Sequence, residues 1–149
     1  MGTKRVVITG MGVVSPIGET IDTYWNGLIS GESGIDTIQS FDISEFPTQF
    51  AGECIGFETD TLPPKEIRRT ARFILLALEA SKQAINMSGL DIEGIANKVG
   101  VEIGSGIGGI EILDKASKTL HERGPAKLSP FTVPMMICDM AAGQVAIRF

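Results

Sequence analysis

The 149-residue chain is short of the residues from which most metal and nucleophile sites are built. It contains one histidine, His121, and two cysteines, Cys54 and Cys138, which lie far apart without a CxxC spacing. Because common zinc sites need clusters of such residues, this inventory excludes a zinc centre of the usual kinds. We expect no metal site, and we expect both thiols to be inert and reduced.

Long apolar runs and positive net charge are also absent. The longest uninterrupted apolar run is Phe73–Leu78, far shorter than the ~20 residues that a bilayer span requires. No signal-peptide pattern precedes the first strand-like segment. The formal net charge of −5 argues against a nucleic-acid binder. We therefore expect a cytoplasmic protein that binds neither membrane nor nucleic acid.

The sequence does contain alternating strand-like and helix-like segments. Its length and its 43% hydrophobic content suit one globular unit. The apolar run Arg5–Gly10 predicts a strand buried on both faces, Lys98–Ile103 predicts a second strand, and Thr48–Cys54 predicts a short third one. Helices are predicted from Ile21 to Ile29 with Thr20 as N-cap, from about Pro64 to Ser88, from Ile110 to Gly124, and from Pro134 onward. This alternation predicts an α/β fold with at least a partly parallel sheet.

A glycine-rich loop, GSGIGG at Gly104–Gly109, matches the dinucleotide-binding template G-x-G-x-x-G. In that site an acidic residue about 20 positions further on ends the next strand and holds the ribose. Glu122 has the spacing, but it lies at the end of a predicted helix and no buried strand follows. A tight turn into a helix explains the glycines better. A nucleotide-dependent oxidoreductase therefore stays only as a third hypothesis, after the two given below.

No residue has the context of an activated nucleophile. A reactive cysteine needs a helix N-terminus or a nearby histidine, whereas Cys138 lies a turn inside its predicted helix and Cys54 lies in a predicted strand. Ser105 stands one position early for the G-x-S-x-G elbow. We therefore predict no catalytic residue in this chain and no cofactor.

A group of cations lies near the start of the long predicted helix. These residues follow i, i+3, i+4 and i+7 spacing, which places them on one helical face: Lys65, Arg68, Arg69 and Arg72. Glu66 offsets only one of them, so the patch is positive on an acidic protein. Two explanations stay open, an ordinary solvated face and the docking of an acidic partner.

Four segments in a fixed order point to a protein family. They are RVVITGMGVVSPIG, VGVEIGSGIGG, GPAKLSPFTVP and MAAGQVAIRF. Together they resemble the N-terminal part of β-ketoacyl-acyl-carrier-protein synthases, above all the elongating type II condensing enzymes of fatty acid synthesis. The resemblance runs over residues 1–149. It implies the thiolase-like fold, whose N-terminal half has a mostly parallel, five-stranded sheet flanked by helices, and it implies a homodimer.

The resemblance also implies an activity, that of an acyltransferase named 3-oxoacyl-[acyl-carrier-protein] synthase. Such an enzyme condenses an acyl thioester with malonyl-acyl-carrier protein and releases carbon dioxide. In the family the nucleophilic cysteine follows the segment that Ala142–Phe149 resembles, and the histidines come later. We therefore expect an N-terminal portion that is inactive alone. The alternative is a non-catalytic subunit similar to the chain-length factors, which binds carrier protein and a partner synthase.

Binding residues are carried over from the family position by position. Four residues match positions where basic side chains dock the acidic carrier protein: Lys65, Arg68, Arg69 and Lys127. Arg72 joins them by helical geometry. Ile107 matches a residue that lines the acyl-chain pocket, and Phe131 is the expected contact from a loop that approaches the partner subunit's pocket. Thr132 stands where relatives often have a second aromatic residue, which leaves the acyl-chain preference open.

Overall fold

The computed structural model describes residues 4–149. These residues form two compact units. One comprises the chain up to Glu58 together with Glu79–Gly89, and the other comprises Thr59–Leu78 and Leu90–Phe149. The longest helix is divided between the two units after Leu78.

Helix α1 of the first unit spans Ile21–Ser30, and local interactions define both of its ends. The hydroxyl of Thr20 accepts from the backbone N–H of Thr23 at 3.2 Å, and the hydroxyl of Thr23 accepts from the N–H of Thr20 at 3.1 Å. These two bonds satisfy amides that the first helical turn leaves without partners. Gly31 ends the helix in the left-handed conformation, with φ of 71°. The predicted helix and its N-cap are confirmed.

The described residues contain one sheet, which has two strands and is antiparallel. Strand β1, Ile35–Thr37, pairs with β2, Phe50–Gly52, so that Asp36 lies opposite Ala51. The short strand predicted over Thr48–Cys54 is therefore present, in its central part. A sheet of five strands is not formed by residues 4–149.

The strands predicted at Arg5–Gly10 and Lys98–Ile103 are absent from the described part of the chain. Residues 4–10 pair with no strand, Ala96–Lys98 forms a 3-10 turn, and residues 99–103 are irregular. A β-branched run becomes a strand only where neighbouring strands accept and donate its ladder hydrogen bonds. Instead, the side chains of Val6 and Ile8 are 93% and 84% exposed. Val101 and Ile103 are only partly buried, against the core of the second unit. The prediction was therefore wrong about the pairing of both segments and about the burial of Arg5–Gly10.

The segment after Gly10 lies along the second half of the longest helix. A Cβ atom at Gly10 or Gly12 would collide with backbone atoms of that helix, so glycine allows the close approach. Gln83 holds the segment from the helix side: its Oε1 accepts from Val13 N at 3.1 Å and its Nε2 donates to Glu19 O at 2.7 Å. Gly10 and Gly12 therefore allow this segment to pack closely against the helix within the first unit.

The second unit is mainly helical. Its helices are α2 (Pro64–Ile67), the first half of α3 (Arg72–Ser88), α4 (Ile92–Ile95), α5 (Ile110–Arg123), α6 (Thr132–Met136) and α7 (Met140–Arg148). A 3-10 turn at Pro125–Lys127 follows α5. The core consists of the buried side chains of Leu62, Ala71, Ile74, Leu78 and Val145. No helix within residues 4–149 has both the length and the hydropathy to cross a membrane.

The long helix expected from Pro64 to Ser88 is wrong, because the chain leaves helical geometry between α2 and α3. The hydroxyl of Thr70 donates to Glu66 O at 2.9 Å, which competes with the backbone ladder. Ala71 is 1% exposed, and its carbonyl accepts the first bonds of α3 from Ile74 and Leu75. No proline or glycine occurs at the break, so the apolar periodicity of the sequence predicted one continuous helix.

The single helix expected from Pro134 onward is also replaced by two. Ile137, with ψ of 136°, is extended and separates α6 from α7. Pro134 is the third residue of α6, where a missing N–H is tolerated because that turn has unpaired amides. Cys138 therefore lies exposed between two helices rather than inside one, and Cys54 lies just beyond β2.

Candidate functional site

The GSGIGG loop enters α5 through its last two glycines. Gly108 has φ of 73°, and its N–H donates to the hydroxyl of Ser105 at 3.0 Å. The N–H of Gly109 donates to Met136 O at 3.0 Å. A Cβ atom at Gly108 would lie 3.1 Å from the Cα of Cys138, so this approach requires glycine. The tight turn into a helix is confirmed, although no strand precedes it.

A concave site of about 280 Å³ collects three cations from three elements of the second unit. We call it the cationic pocket. Its lining residues are Arg68, Ile112, Lys115, Ala116, Thr119, Lys127, Leu128, Ser129, Thr132 and Met135. The lining has no carboxylate, although the whole chain has a net charge of −5. Positive charge is therefore concentrated locally, together with aliphatic and methionine side chains of the same lining.

Local backbone contacts position two of the three cations, Arg68 and Lys127. Arg68 caps the C-terminus of α2, and its Nε donates to Pro64 O at 3.3 Å. This bond holds the guanidinium against the single turn of α2. Lys127 closes the 3-10 turn after Gly124, whose φ of 78° reverses the chain. The structure thus brings together Arg68 and Lys127, two residues that the family resemblance implies.

Lys115 is the third cation, and the sequence analysis did not select it. It lies on the face of α5 formed by Ile112, Lys115, Ala116 and Thr119, at i, i+3, i+4 and i+7 spacing. Its neighbour Lys118 forms an i,i+4 ion pair with Asp114 at 2.8 Å. Glu111 stands at i−4 from Lys115 on the same helix, but no ion pair joins the two among the described residues, so helical spacing held no signal that would have selected Lys115.

A second concave site, of about 430 Å³, surrounds Phe131 in the same unit. We call it the Phe131 pocket. It is lined by Glu66, Arg69, Thr70, Ile74, Phe131, Pro134, Met140, Gln144, Ile147 and Arg148. The guanidinium of Arg69 lies over the Phe131 ring, 5.0 Å from its centroid. Arg148 forms an ion pair with Glu66 beside it.

The other sequence-selected residues lie outside both pockets. Lys65 is exposed on α2, and Arg72 is exposed at the start of α3. Ile107 is 70% exposed in the glycine loop. The break between α2 and α3 invalidates the single helical face drawn through the four cations, because Arg68 and Arg69 line different pockets.

Lys118 and Asp42 are exposed charged groups whose pKa values are shifted by local contacts. A hydrogen bond to Asp114 raises the pKa of Lys118, with the charge of that carboxylate adding to the effect. The backbone N–H of Ser44 lowers the pKa of Asp42. Among residues 4–149 no charged side chain is buried and no cluster of three or more potential metal ligands occurs.

Solved structures define the class of the fold. A β-ketoacyl synthase from Burkholderia phymatum aligns with a TM-score of 0.79 and 28% identity, over 97% of this chain and 36% of that one. A type II polyketide acyl-carrier protein in complex with its ketosynthase aligns with a TM-score of 0.73 and 22% identity, over 97% and 38%. The chain has the fold of the corresponding part of ketosynthases, the thiolase-like fold.

The chain belongs to the β-ketoacyl synthase family, because residues 3–149 match the family described as "Beta-ketoacyl synthase, N-terminal domain". It is 44% identical over 149 residues to 3-oxoacyl-[acyl-carrier-protein] synthase 2 of Vibrio cholerae, covering 99% of this chain and 36% of the relative. The synthase 2 of Coxiella burnetii is 46% identical over 151 residues, covering 100% and 36%. The chain thus spans about 36% of the length of these relatives.

Proposed function

We propose that this chain is the N-terminal part of a 3-oxoacyl-[acyl-carrier-protein] synthase that elongates fatty acyl chains. The whole protein transfers an acyl group from a thioester to malonyl-acyl-carrier protein. Carbon dioxide leaves the malonyl group, and the electron pair of the broken bond stays on the α-carbon. That carbon forms the new bond to the acyl carbonyl carbon, and the thiol of the acyl thioester is released. Identity of 44% to 46% with synthases of that name supports this proposal.

The part that this chain contributes is the docking of the carrier protein. The observation that carries it is the cationic pocket, where Arg68 and Lys127 come from separate elements and face no lining carboxylate. Such a surface steers an acidic partner and sets its orientation more than it adds raw affinity. Lys65, Arg69 and Arg72 are exposed residues close to Arg68 in the sequence, and we include them in the proposed docking surface.

Binding of labelled holo-acyl carrier protein to the 149-residue chain tests the docking proposal. We expect the Arg68→Glu, Lys127→Glu double variant to weaken binding at low ionic strength. The matched control is the Lys4→Glu, Lys98→Glu double variant, which makes the same change in net charge at two exposed lysines outside the lining of both pockets. Equal affinity of the Arg68→Glu, Lys127→Glu variant and the unsubstituted chain at low salt would refute docking at this pocket.

We also propose that Ile107 and Phe131 contact the acyl chain in the whole protein. Their exposed fractions, 70% and 40%, leave apolar surface available to a ligand or to further protein. The same holds for Val6 and Ile8, whose exposure supports a five-stranded sheet and a homodimer that form only with additional chain. We place the protein in the cytoplasm, with no cofactor.

The chain-length-factor hypothesis makes a different prediction for the whole protein. A condensing enzyme releases carbon dioxide and a carrier thiol from acyl and malonyl thioesters, whereas a non-catalytic subunit binds carrier protein and releases neither. The 149-residue chain alone should release neither in both cases. Carbon dioxide release by the whole protein therefore distinguishes the two hypotheses, and retained carrier binding shows that the protein is folded.

A further inference from the structure

The cationic pocket holds one cation beyond those that the family resemblance implies. Lys115 lines it from α5, whereas Arg68 and Lys127 belong to other elements. Glu111 lies four residues before Lys115 on α5, but among the described residues no ion pair joins them, whereas Lys118 is paired with Asp114. The charge of Lys115 is therefore available to a ligand in the pocket.

Three like charges around one concavity repel one another in the empty state. Coulomb repulsion between them is relieved when an anion enters, which favours a ligand with several negative charges over a single one. The lining also contains four apolar side chains, Ile112, Ala116, Leu128 and Met135. A partner that presents carboxylates beside an apolar side chain matches both features, as an amphipathic acidic helix does.

We propose that Lys115 is a third docking cation that binds carboxylate side chains of the acidic carrier protein and contributes to the choice of carrier. The inference rests on the proposed function, since it names a residue of the same docking site. The other anion a carrier protein offers is the phosphodiester of its prosthetic arm. The breadth of the pocket and the separation of its cations onto three elements favour several carboxylates along a helix.

Lys115→Ala and Lys118→Ala form a matched pair for the test. Both remove one exposed lysine from the same helix and change the net charge equally, but only Lys115 lines the pocket. We expect Lys115→Ala to raise the Kd for holo carrier protein about two- to five-fold at low salt, as losing one exposed ion pair does. Lys118→Ala should change it less, and the difference should shrink in high salt.

The outcomes separate the inference from the proposed function. Equal effects of the two variants would overturn the role of Lys115, while a loss of binding in Arg68→Glu would still support docking at the pocket. Absence of carrier binding by the unsubstituted chain would remove both. An effect of Lys115→Ala on holo carrier protein but not on apo carrier protein would assign Lys115 to the phosphodiester and overturn the carboxylate proposal.

Charge exchange supplies a direct readout of the partner group. Lys115→Glu should weaken binding more than Lys115→Ala does. A carrier protein with one helical Glu→Lys substitution should restore part of the affinity to Lys115→Glu while losing affinity for the unsubstituted chain. Circular dichroism of each variant checks folding. Failure of every single helical substitution to give such compensation would contradict a carboxylate contact.

Discussion

Arg69 and Phe131 are stacked: the guanidinium carbon of Arg69 lies 5.0 Å from the centroid of the Phe131 ring. The first residue belongs to the proposed docking surface and the second to the loop proposed to contact the acyl chain. The contact joins the turn between α2 and α3 to the start of α6. A partner that engages Arg69 therefore acts on a side chain that positions Phe131.

We predict that Arg69→Ala lowers the free energy of unfolding by about 0.5–1 kcal/mol, the size of an exposed cation–π contact. Arg69→Lys should lose less, because the ammonium retains the charge over the ring. Urea denaturation measures both. A double-mutant cycle with Phe131→Leu isolates the contact, and additive effects of the two substitutions would show that it contributes nothing.

The glycine loop gives a second prediction. Gly108→Ala should destabilise the chain by about 1–3 kcal/mol, because its φ is positive and the new Cβ would meet the backbone of Met136–Cys138. Gly104→Ala is the control within the same loop, since nothing lies within 4 Å of its Cβ position. Thermal unfolding followed by circular dichroism compares them. Equal melting temperatures would contradict the close-packed turn.

Leu78 tests the core of the second unit. It is fully buried, at 0% exposure, and packs in the cluster with Ile74 and Val145. Leu78→Ala should cost about 2–5 kcal/mol, through lost burial and the cavity that remains. Leu120→Ala, at a side chain 44% exposed on α5, should stay within about 0.5 kcal/mol. Comparable losses in chemical denaturation would show that Leu78 is not in a formed core.

Gln83 provides a test of the first unit. Gln83→Ala removes an acceptor for Val13 N and a donor to Glu19 O, and we expect a loss of about 1–3 kcal/mol. Gln83→Glu keeps the acceptor, so it should protect the Val13 amide from hydrogen exchange while still losing the bond to Glu19. Asn86→Ala, an exposed change on the same helix, is the control. Unchanged Val13 exchange in Gln83→Ala would contradict this contact.

Features set by neighbouring residues could be predicted from the sequence, and features set by distant residues could not. The Thr20–Thr23 cap and Gly31 lie within a dozen residues, so α1 was correct at both ends. At the break between α2 and α3, the Thr70 hydroxyl donates to Glu66 O and Ala71 is buried in the core, and the burial of Ala71 depends on distant residues. Strand formation at Arg5–Gly10 depends on partner strands that no local pattern encodes.

The same distinction applies to the candidate site. The family resemblance located Arg68 and Lys127 individually, but sequence spacing could not show that they border one pocket. Lys115 enters that pocket because α5 follows a glycine turn tied to Met136 O, a relationship across many residues. Helical spacing instead grouped Arg68 with Arg69 and Arg72, which the turn before α3 separates.

The exposure of Val6 and Ile8 has a consequence for the behaviour of the chain in solution. An unpaired β-branched run offers its amides and carbonyls to another molecule, so copies of the chain can add strands to each other. Light scattering should then rise steeply with protein concentration. The substitution Ile8→Lys should suppress this rise, because a charge on the run opposes strand addition. The six residues Arg5–Gly10 thus limit the solubility of the chain.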